Sequence, residues 1–281
     1  MKLLNCSHGP AVLRGAEAVL FSEINAVRGH ALPGDLLGLI QSGDLAPLRD
    51  LRGVAGLPLA EVGPALPYSA PPKILCVGPN YRCQLPDPNT TQPDEPGSFL
   101  KPASCMVAPG GNIVLPPPDV CARADAECEL GIIIGRRCRF VPEEHVSEVI
   151  FGYTATLDLT ALDILAKSPR FLTRAKSIDT FFSFGPVIVT PDEIADLGAL
   201  EVVTELNGEP YSRDLVSNMC RLPAQLVSFH SDFYALDPGD ILSTGCPKAA
   251  PFQPGDTVGG RIDGVCRITA QVTQGVRKPL Y

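Results

Sequence analysis

The 281-residue sequence has little positive charge, no long apolar run and no signal-like start, and each absence excludes a class of protein. Lys and Arg number 23 against 31 Asp and Glu, which gives a net charge of -8 and a pI of about 5.0. Nucleic-acid binding needs clustered basic residues, so we expect no such partner. No stretch approaches about 18 apolar residues, and no apolar segment precedes a cleavage site. We therefore expect a cytoplasmic protein with no membrane partner.

The ten cysteines form no C-x-x-C pair. Without a secretory signal, this pattern indicates reduced thiols rather than a disulfide framework. Cys121, Cys128 and Cys138 remain a conceivable zinc site, although their loose spacing disfavours it.

Residues 1–70 are predicted to form a small N-terminal domain and residues 71–281 a larger one. Leucines at helical spacing predict a helix around Gly34–Ser42, and an extended segment is predicted at Leu57–Val62. The segment Pro67–Pro72 carries three prolines and is predicted to be a linker.

The larger part is dominated by short apolar segments broken by Gly and Pro, which are typical of strands. The first of these is predicted at 73–78, and the proline-rich segment 79–98 that follows is predicted to be a long lid or binding loop. Only Leu159–Ala166 and Pro223–Tyr234 are predicted to be helical. The fold class expected is therefore α+β, mainly β, rather than a βαβ array.

Two glutamates stand two residues apart in the apolar segment ending in ELGIIIG. If this segment is a strand, Glu127 and Glu129 share one face, with their Cα atoms about 7 Å apart. Buried carboxylates that converge need a cation, so the pair predicts two ligands of a hard metal ion. The alternative is an exposed edge strand whose glutamates face water.

Asp158 follows an alternating segment and adds a third carboxylate. Three carboxylates suit Mg²⁺ or Mn²⁺, which prefer oxygen ligands and leave positions for a bidentate substrate. The alternative role for Asp158 is helix N-capping, and Asp163 is interpreted as structural.

From Lys73 onwards the sequence resembles the fumarylacetoacetate hydrolase family. The matching segments, in chain order, are KILCVGPNY (73–81), FLKP (99–102), ECELGIIIG (127–135), GYTATLDLTALD (152–163), AKSIDTFFSFGPVIVTPDEI (175–194), LNGE (206–209) and DPGDILSTGCP (237–247).

The resemblance implies a mixed β-roll core, a homodimer, and a central Mg²⁺ or Mn²⁺ that chelates a small carbonyl substrate. It implies Glu127, Glu129 and Asp158 as metal ligands and Lys176 as a catalytic residue facing the metal; the alternative for Lys176 is a surface ion pair with Asp179. The positions expected to bind substrate are Tyr81, Arg82, Lys101 and Thr244.

The sequence departs from the family at three positions. Gln84 stands where the family has its lid histidine, with Asp87 at the acidic position that follows, and glutamine cannot act as a general base. Leu162 replaces an arginine that meets a substrate carboxylate, and Cys246 replaces a threonine. Cys246 as a nucleophile is disfavoured because no histidine is visible beside it.

These departures predict a less polar pocket in which metal and fold persist. The expected function is a metal-dependent enzyme that acts next to an enolisable carbonyl, by C–C hydrolysis, decarboxylation, or isomerisation or cyclisation. The alternative is a non-catalytic binding or scaffold protein of the same fold, and retained metal would distinguish the two.

Overall fold

A computed structural model describes residues 1–84 and 94–277, and of Gln84 it describes only the main chain. The strands are β1 Lys2–Cys6, β2 Gly9–Arg14, β3 Glu17–Leu20, β4 Leu57–Pro58, β5 Ile74–Val77, β6 Ser98–Lys101, β7 Asn112–Leu115, β8 Ala124–Ile134, β9 Ile150–Ala161, β10 Phe182–Phe184, β11 Val187–Val189, β12 Glu201–Leu206, β13 Glu209–Leu215, β14 Ile241–Ser243, β15 Ala250–Phe252, β16 Thr257–Ile262 and β17 Cys266–Gln274. The helices are α1 Phe21–Arg28, α2 Leu36–Ser42, α3 Leu162–Leu165, α4 Leu172–Lys176 and α5 Pro223–Phe233.

The strands of the described ranges form two sheets. The larger, twelve-stranded sheet follows the order β4-β3-β2-β1-β11-β9-β8-β14-β5-β6, with β10 beside β9 and β15 beside β8. The smaller sheet follows the order β13-β12-β16-β17-β7. The predicted α+β, mainly β fold is confirmed, and the long antiparallel pair β8–β9 lies at its centre.

Strand β8 separates two environments by the alternation of its side chains. Its even-numbered residues, such as Cys128 and Leu130, belong to the main core, together with residues of the smaller sheet such as Val202 and Val258. Ile133, an odd-numbered residue, belongs instead to the core that contains the N-terminal helices. Glu127 and Glu129 are odd-numbered, so they point away from the core between the sheets.

The two sheets are in close contact where Gly260 of β16 lies over Cys128 of β8. A methyl group at Gly260 would lie 2.3 Å from the carbonyl oxygen of Val203 and 2.4 Å from Cβ and Sγ of Cys128. Only glycine fits at that separation. This contact therefore helps to hold β8, and with it the two glutamates, at a fixed distance from the smaller sheet.

The N-terminal strands continue the larger sheet, because β1 pairs with β11 in antiparallel register. The side chains of Phe21, Leu36 and Leu39 share a core with Ile74 and Phe182 from the rest of the chain. The division of the chain near residue 70 stays a prediction.

Helix α2 confirms the helix predicted around Gly34–Ser42. Asp35 caps its first turn, since its carboxylate accepts a hydrogen bond of 2.7 Å from the Gly38 amide. Gly43 ends the helix with φ of 65°, a conformation that favours glycine.

Two predicted elements differ in the structure. The helix expected at Leu159–Ala166 is wrong for its first half, because β9 continues to Ala161 and α3 covers only Leu162–Leu165. The strand continues because residues up to Ala161 pair with the start of β8. The extended segment expected at Leu57–Val62 is a strand only at its first two residues.

Among the described residues, none of the helices combines the length and apolar character that a bilayer crossing requires.

We expect the Gly260→Ala substitution to destabilise the protein by about 1–3 kcal/mol, because the added methyl group overpacks the contact between the sheets. Chemical denaturation followed by circular dichroism measures the change. Gly34→Ala is the matched control, since its methyl group would meet no atom within 4 Å, and it should change stability by less than about 0.5 kcal/mol. Equal effects of the two substitutions would contradict the expectation.

Candidate metal centre

The register between β8 and β9 brings three carboxylates together. Glu127 pairs directly with Asp158, and Glu129 with Thr156, so these side chains share one face of the sheet. One oxygen from each of Glu127, Glu129 and Asp158 lies within 4.8 Å of the other two. Glu129 is 1% exposed and Asp158 is fully buried. The two alternatives considered from the sequence are therefore wrong. Glu129 does not face water from an exposed edge strand, and Asp158 lies within β9 rather than at the start of a helix.

Glu129 is fixed by the turn that follows β14. Its Oε2 accepts hydrogen bonds from the Ser243 hydroxyl at 2.5 Å and from the Gly245 amide at 2.8 Å. Burial raises the pKa of Glu129 to about 8, and the negative charges of Asp158 and Glu127 act in the same direction. The carboxylate is therefore oriented by the chain but lacks a compensating charge close to it.

Asp158 lies between two lysines. Lys101 Nζ donates to its Oδ1 at 2.5 Å and Lys176 Nζ to its Oδ2 at 2.8 Å. Burial by itself would raise the pKa of Asp158, but the charges of the two lysines outweigh it and lower the pKa. Asp158 is therefore held in its ionised form.

Glu127 shares Lys176 with Asp158. Its Oε2 accepts hydrogen bonds from Lys176 Nζ at 2.5 Å and from the Thr160 hydroxyl at 3.3 Å. The Cys246 thiol donates to Oε1 over 3.5 Å. Burial raises the pKa of this thiol, and Glu127 raises it further, so Cys246 stays protonated and is a poor nucleophile.

The residues of this centre fit a hard dication. Three carboxylates face two ammonium groups in a buried place, so the formal charge of these five side chains is negative. Mg²⁺ and Mn²⁺ prefer oxygen ligands in such a set. Within residues 1–84 and 94–277, the triad is the only group of three or more His, Cys, Asp or Glu side chains close enough to hold an ion. The zinc site considered for Cys121, Cys128 and Cys138 is therefore absent from the described part of the chain.

The other residues singled out from the sequence are dispersed around the centre. Tyr81 is fully buried in the main core, and burial raises its pKa. The Thr244 hydroxyl donates to the Leu130 carbonyl at 2.9 Å, and Arg82 is exposed. The Gln84 side chain and Asp87 lie outside the described residues. The roles expected for these residues stay predictions.

Sequence reasoning missed the residues whose hydroxyl or amide groups donate hydrogen bonds to the carboxylates, and also Thr156, which shares a hydrogen bond with the Ser243 hydroxyl. Thr156 and Thr160 alternate with apolar residues along β9, and this alternation could have placed them on the face of Asp158. Ser243 and Gly245 offered no such signal, because their contact with Glu129 spans more than 110 residues.

Comparisons with known proteins give the family. A model of the fumarylacetoacetate (FAA) hydrolase C-terminal domain matches residues 73–273, which is most of the chain. A 2,4-didehydro-3-deoxy-L-rhamnonate hydrolase of Sphingomonas sp. strain SKA58 is 33% identical over 233 residues, covering 78% of this chain and 81% of the relative. The chain belongs to the fumarylacetoacetate hydrolase family.

Two further relatives extend the range of activities. The mitochondrial oxaloacetate tautomerase FAHD2A of Bos taurus is 34% identical over 192 residues, which is 68% of this chain and 60% of that protein. The crystal structure of maleylpyruvate hydrolase from Sphingobium sp. SYK-6, in complex with manganese(II) and pyruvate, matches with a TM-score of 0.81 and 28% identity. That match covers 98% of this chain and 100% of the other. The family thus contains both hydrolases and tautomerases.

We expect Asp158→Asn to weaken Mn²⁺ binding by at least about tenfold, since loss of even a ligand's hydrogen-bond partner costs about 10–100-fold. Titration of Mn²⁺ followed by electron paramagnetic resonance measures the free ion. Asp163→Asn is the matched control, because Asp163 lies outside the triad and accepts a hydrogen bond from the Ala122 amide, which the asparagine side-chain oxygen can also accept. Unchanged binding in Asp158→Asn would show that the triad is not the site.

Proposed function

We propose that the protein is a divalent-metal-dependent enzyme that acts next to an enolisable carbonyl group. One observation carries the proposal: Glu127, Glu129 and Asp158 converge in a buried place with Lys176 in contact with two of them. Mg²⁺ or Mn²⁺ is the proposed cofactor, and the manganese in the maleylpyruvate hydrolase structure supports this choice. Carboxylates that served only as a solvent-exposed surface cluster would not be buried in this way.

Each residue of the centre has a part in this proposal. The triad holds the ion, which when bound supplies a Lewis acid that stabilises negative charge on a carbonyl oxygen. Ser243 and the Gly245 amide would hold Glu129 in place for the ion through hydrogen bonds to its Oε2. Lys176 supplies a fixed ammonium beside the position where negative charge develops.

The substrate proposed is a small β-dicarbonyl compound or 2-oxo acid. Relatives named as a maleylpyruvate hydrolase and an oxaloacetate tautomerase support this class. C–C hydrolysis and decarboxylation release an enolate when the C–C bond breaks, and isomerisation or cyclisation passes through one, so the triad would serve each of them. We also propose, from the family resemblance, a homodimer in the cytoplasm.

The departures from the family favour reactions in which no water molecule has to be activated. Asp87 and the side chain of Gln84, which lie outside the described part of the chain, are proposed to flank the substrate without activating water. Leu162 opens α3 directly after β9, four residues beyond Asp158, and cannot pair with a substrate carboxylate. Tautomerisation or decarboxylation is therefore favoured over hydrolysis.

A non-catalytic binding protein is the second candidate, and Gln84 is the observation that favours it. Stoichiometric Mg²⁺ or Mn²⁺ in protein purified without chelators would argue against this candidate, because a scaffold has no need of a tightly held ion. Elemental analysis of the purified protein makes the measurement.

We expect the purified protein with Mg²⁺ or Mn²⁺ to accelerate keto–enol exchange or decarboxylation of oxaloacetate more than hydrolysis of acylpyruvates. Gln84→His should then raise acylpyruvate hydrolysis by about 100-fold, since a general base contributes about 10²–10⁴, and leave oxaloacetate turnover nearly unchanged. Ultraviolet absorbance of the enol and diketone forms follows both reactions. Asp158→Asn and metal removal are the negative controls. Brisk acylpyruvate hydrolysis by the native protein would overturn the predicted preference.

A further inference from the structure

The two lysines that contact Asp158 differ in how many of their N–H groups already donate a hydrogen bond within the protein. An ammonium group has three N–H donors and no acceptor. The fully buried Lys101 Nζ donates to Asp158 Oδ1 at 2.5 Å, to the Phe181 carbonyl at 2.7 Å and, more weakly, to the Leu159 carbonyl at 3.4 Å. All three protons therefore have acceptors within the protein.

Lys176 keeps one proton that no described residue accepts. Its Nζ donates to Glu127 Oε2 at 2.5 Å and to Asp158 Oδ2 at 2.8 Å, and its side chain is 9% exposed. The Phe99 ring lies beside it, with its centroid 5.1 Å from Nζ. The third N–H thus belongs to the one ammonium on Asp158 that a bound molecule can reach.

The turn that follows α4 contacts both lysines. Lys176 ends α4, and five residues later Phe181 presents its carbonyl to Lys101. Between them Thr180 has φ of 69°, which is rare for a β-branched residue, and its hydroxyl accepts a hydrogen bond of 2.8 Å from the Val114 amide. This contact with β7 holds the turn, so that both ammonium groups meet Asp158.

We infer that Lys101 is a positioning residue that acts only through Asp158, whereas Lys176 is the one of the two lysines that donates a hydrogen bond to an oxygen of the bound substrate. This inference rests on the proposed function, because it assumes that Asp158 binds the metal. It differs from the expectation that Lys101 lines the substrate pocket, since the Lys101 side chain is fully enclosed and has no proton left to donate.

The first test measures binding of oxalate, a planar two-oxygen anion, to protein saturated with Mn²⁺. We expect Lys176→Met to weaken oxalate binding by more than about tenfold, which is the usual effect of losing a hydrogen bond from a charged group. Lys101→Met should leave oxalate affinity within about twofold of the native value, since ordinary substitutions away from a ligand change little. Isothermal titration calorimetry at saturating Mn²⁺ gives both constants.

The second test measures Mn²⁺ affinity in a double-mutant cycle. Lys101→Met should weaken Mn²⁺ binding by about tenfold, because Asp158 Oδ1 loses the donor that orients it. In an Asp158→Asn background the same substitution should change the affinity by less than about twofold, since the two residues act as one unit. A purely structural role of Lys101 would not give this coupling.

Two further variants test whether the effects are specific to Lys101. Lys73→Met removes a comparable ion pair, that of Lys73 with Asp237 and Asp240, away from the triad, and should leave Mn²⁺ affinity unchanged. Lys101→Gln, which keeps an N–H donor, is the second variant in case Lys101→Met does not fold by circular dichroism.

Two results would separate the failure of this inference from the failure of the proposed function. If native protein binds Mn²⁺ and Lys101→Met or Lys101→Gln loses oxalate affinity as strongly as Lys176→Met, Lys101 meets the substrate and the inference is overturned. If native protein binds no Mn²⁺ at all, the proposed function itself is overturned.

Discussion

Repulsion among three buried carboxylates is the constraint on which this structure depends. Glu127, Glu129 and Asp158 lie within 4.8 Å of one another, and burial removes the water that would screen their charges. Lys101 and Lys176 offset part of this charge at Asp158 and Glu127. Among the described residues, Glu129 has a hydroxyl and an amide as its direct donors, and burial, together with the charges of Asp158 and Glu127, raises its pKa to about 8.

The sheet architecture is what allows such a cluster to exist. The alternation of β8 and β9 places apolar side chains toward the smaller sheet and polar ones toward the centre, so that one pair of strands serves both the core and the site. The contact of Gly260 with Cys128 sets the spacing on the apolar side. Stability and the position of the carboxylates are therefore properties of the same strands.

Membership of the fumarylacetoacetate hydrolase family does not by itself fix the reaction, since its members include hydrolases and a tautomerase. In the function proposed, the triad would hold an ion that stabilises an enolate, and the residues around it would decide what the enolate becomes. Gln84, Leu162 and Cys246 are the positions at which the sequence is predicted to differ from the family pattern, and none of them belongs to the triad.

Local signals such as alternation and turn residues were enough to predict the mainly β fold and the helix around Gly34–Ser42. They also pointed to the three carboxylates, whose choice as a set rested on the family resemblance as well. The prediction from sequence failed at residues 159–161, where pairing with β8 outweighed the helical pattern. The register that sets Glu127 opposite Asp158, the different bonding of Lys101 and Lys176, and the support of Glu129 by Ser243 were decided only by the tertiary structure. Each of these depends on residues distant in the chain, and no local pattern encodes such a distance.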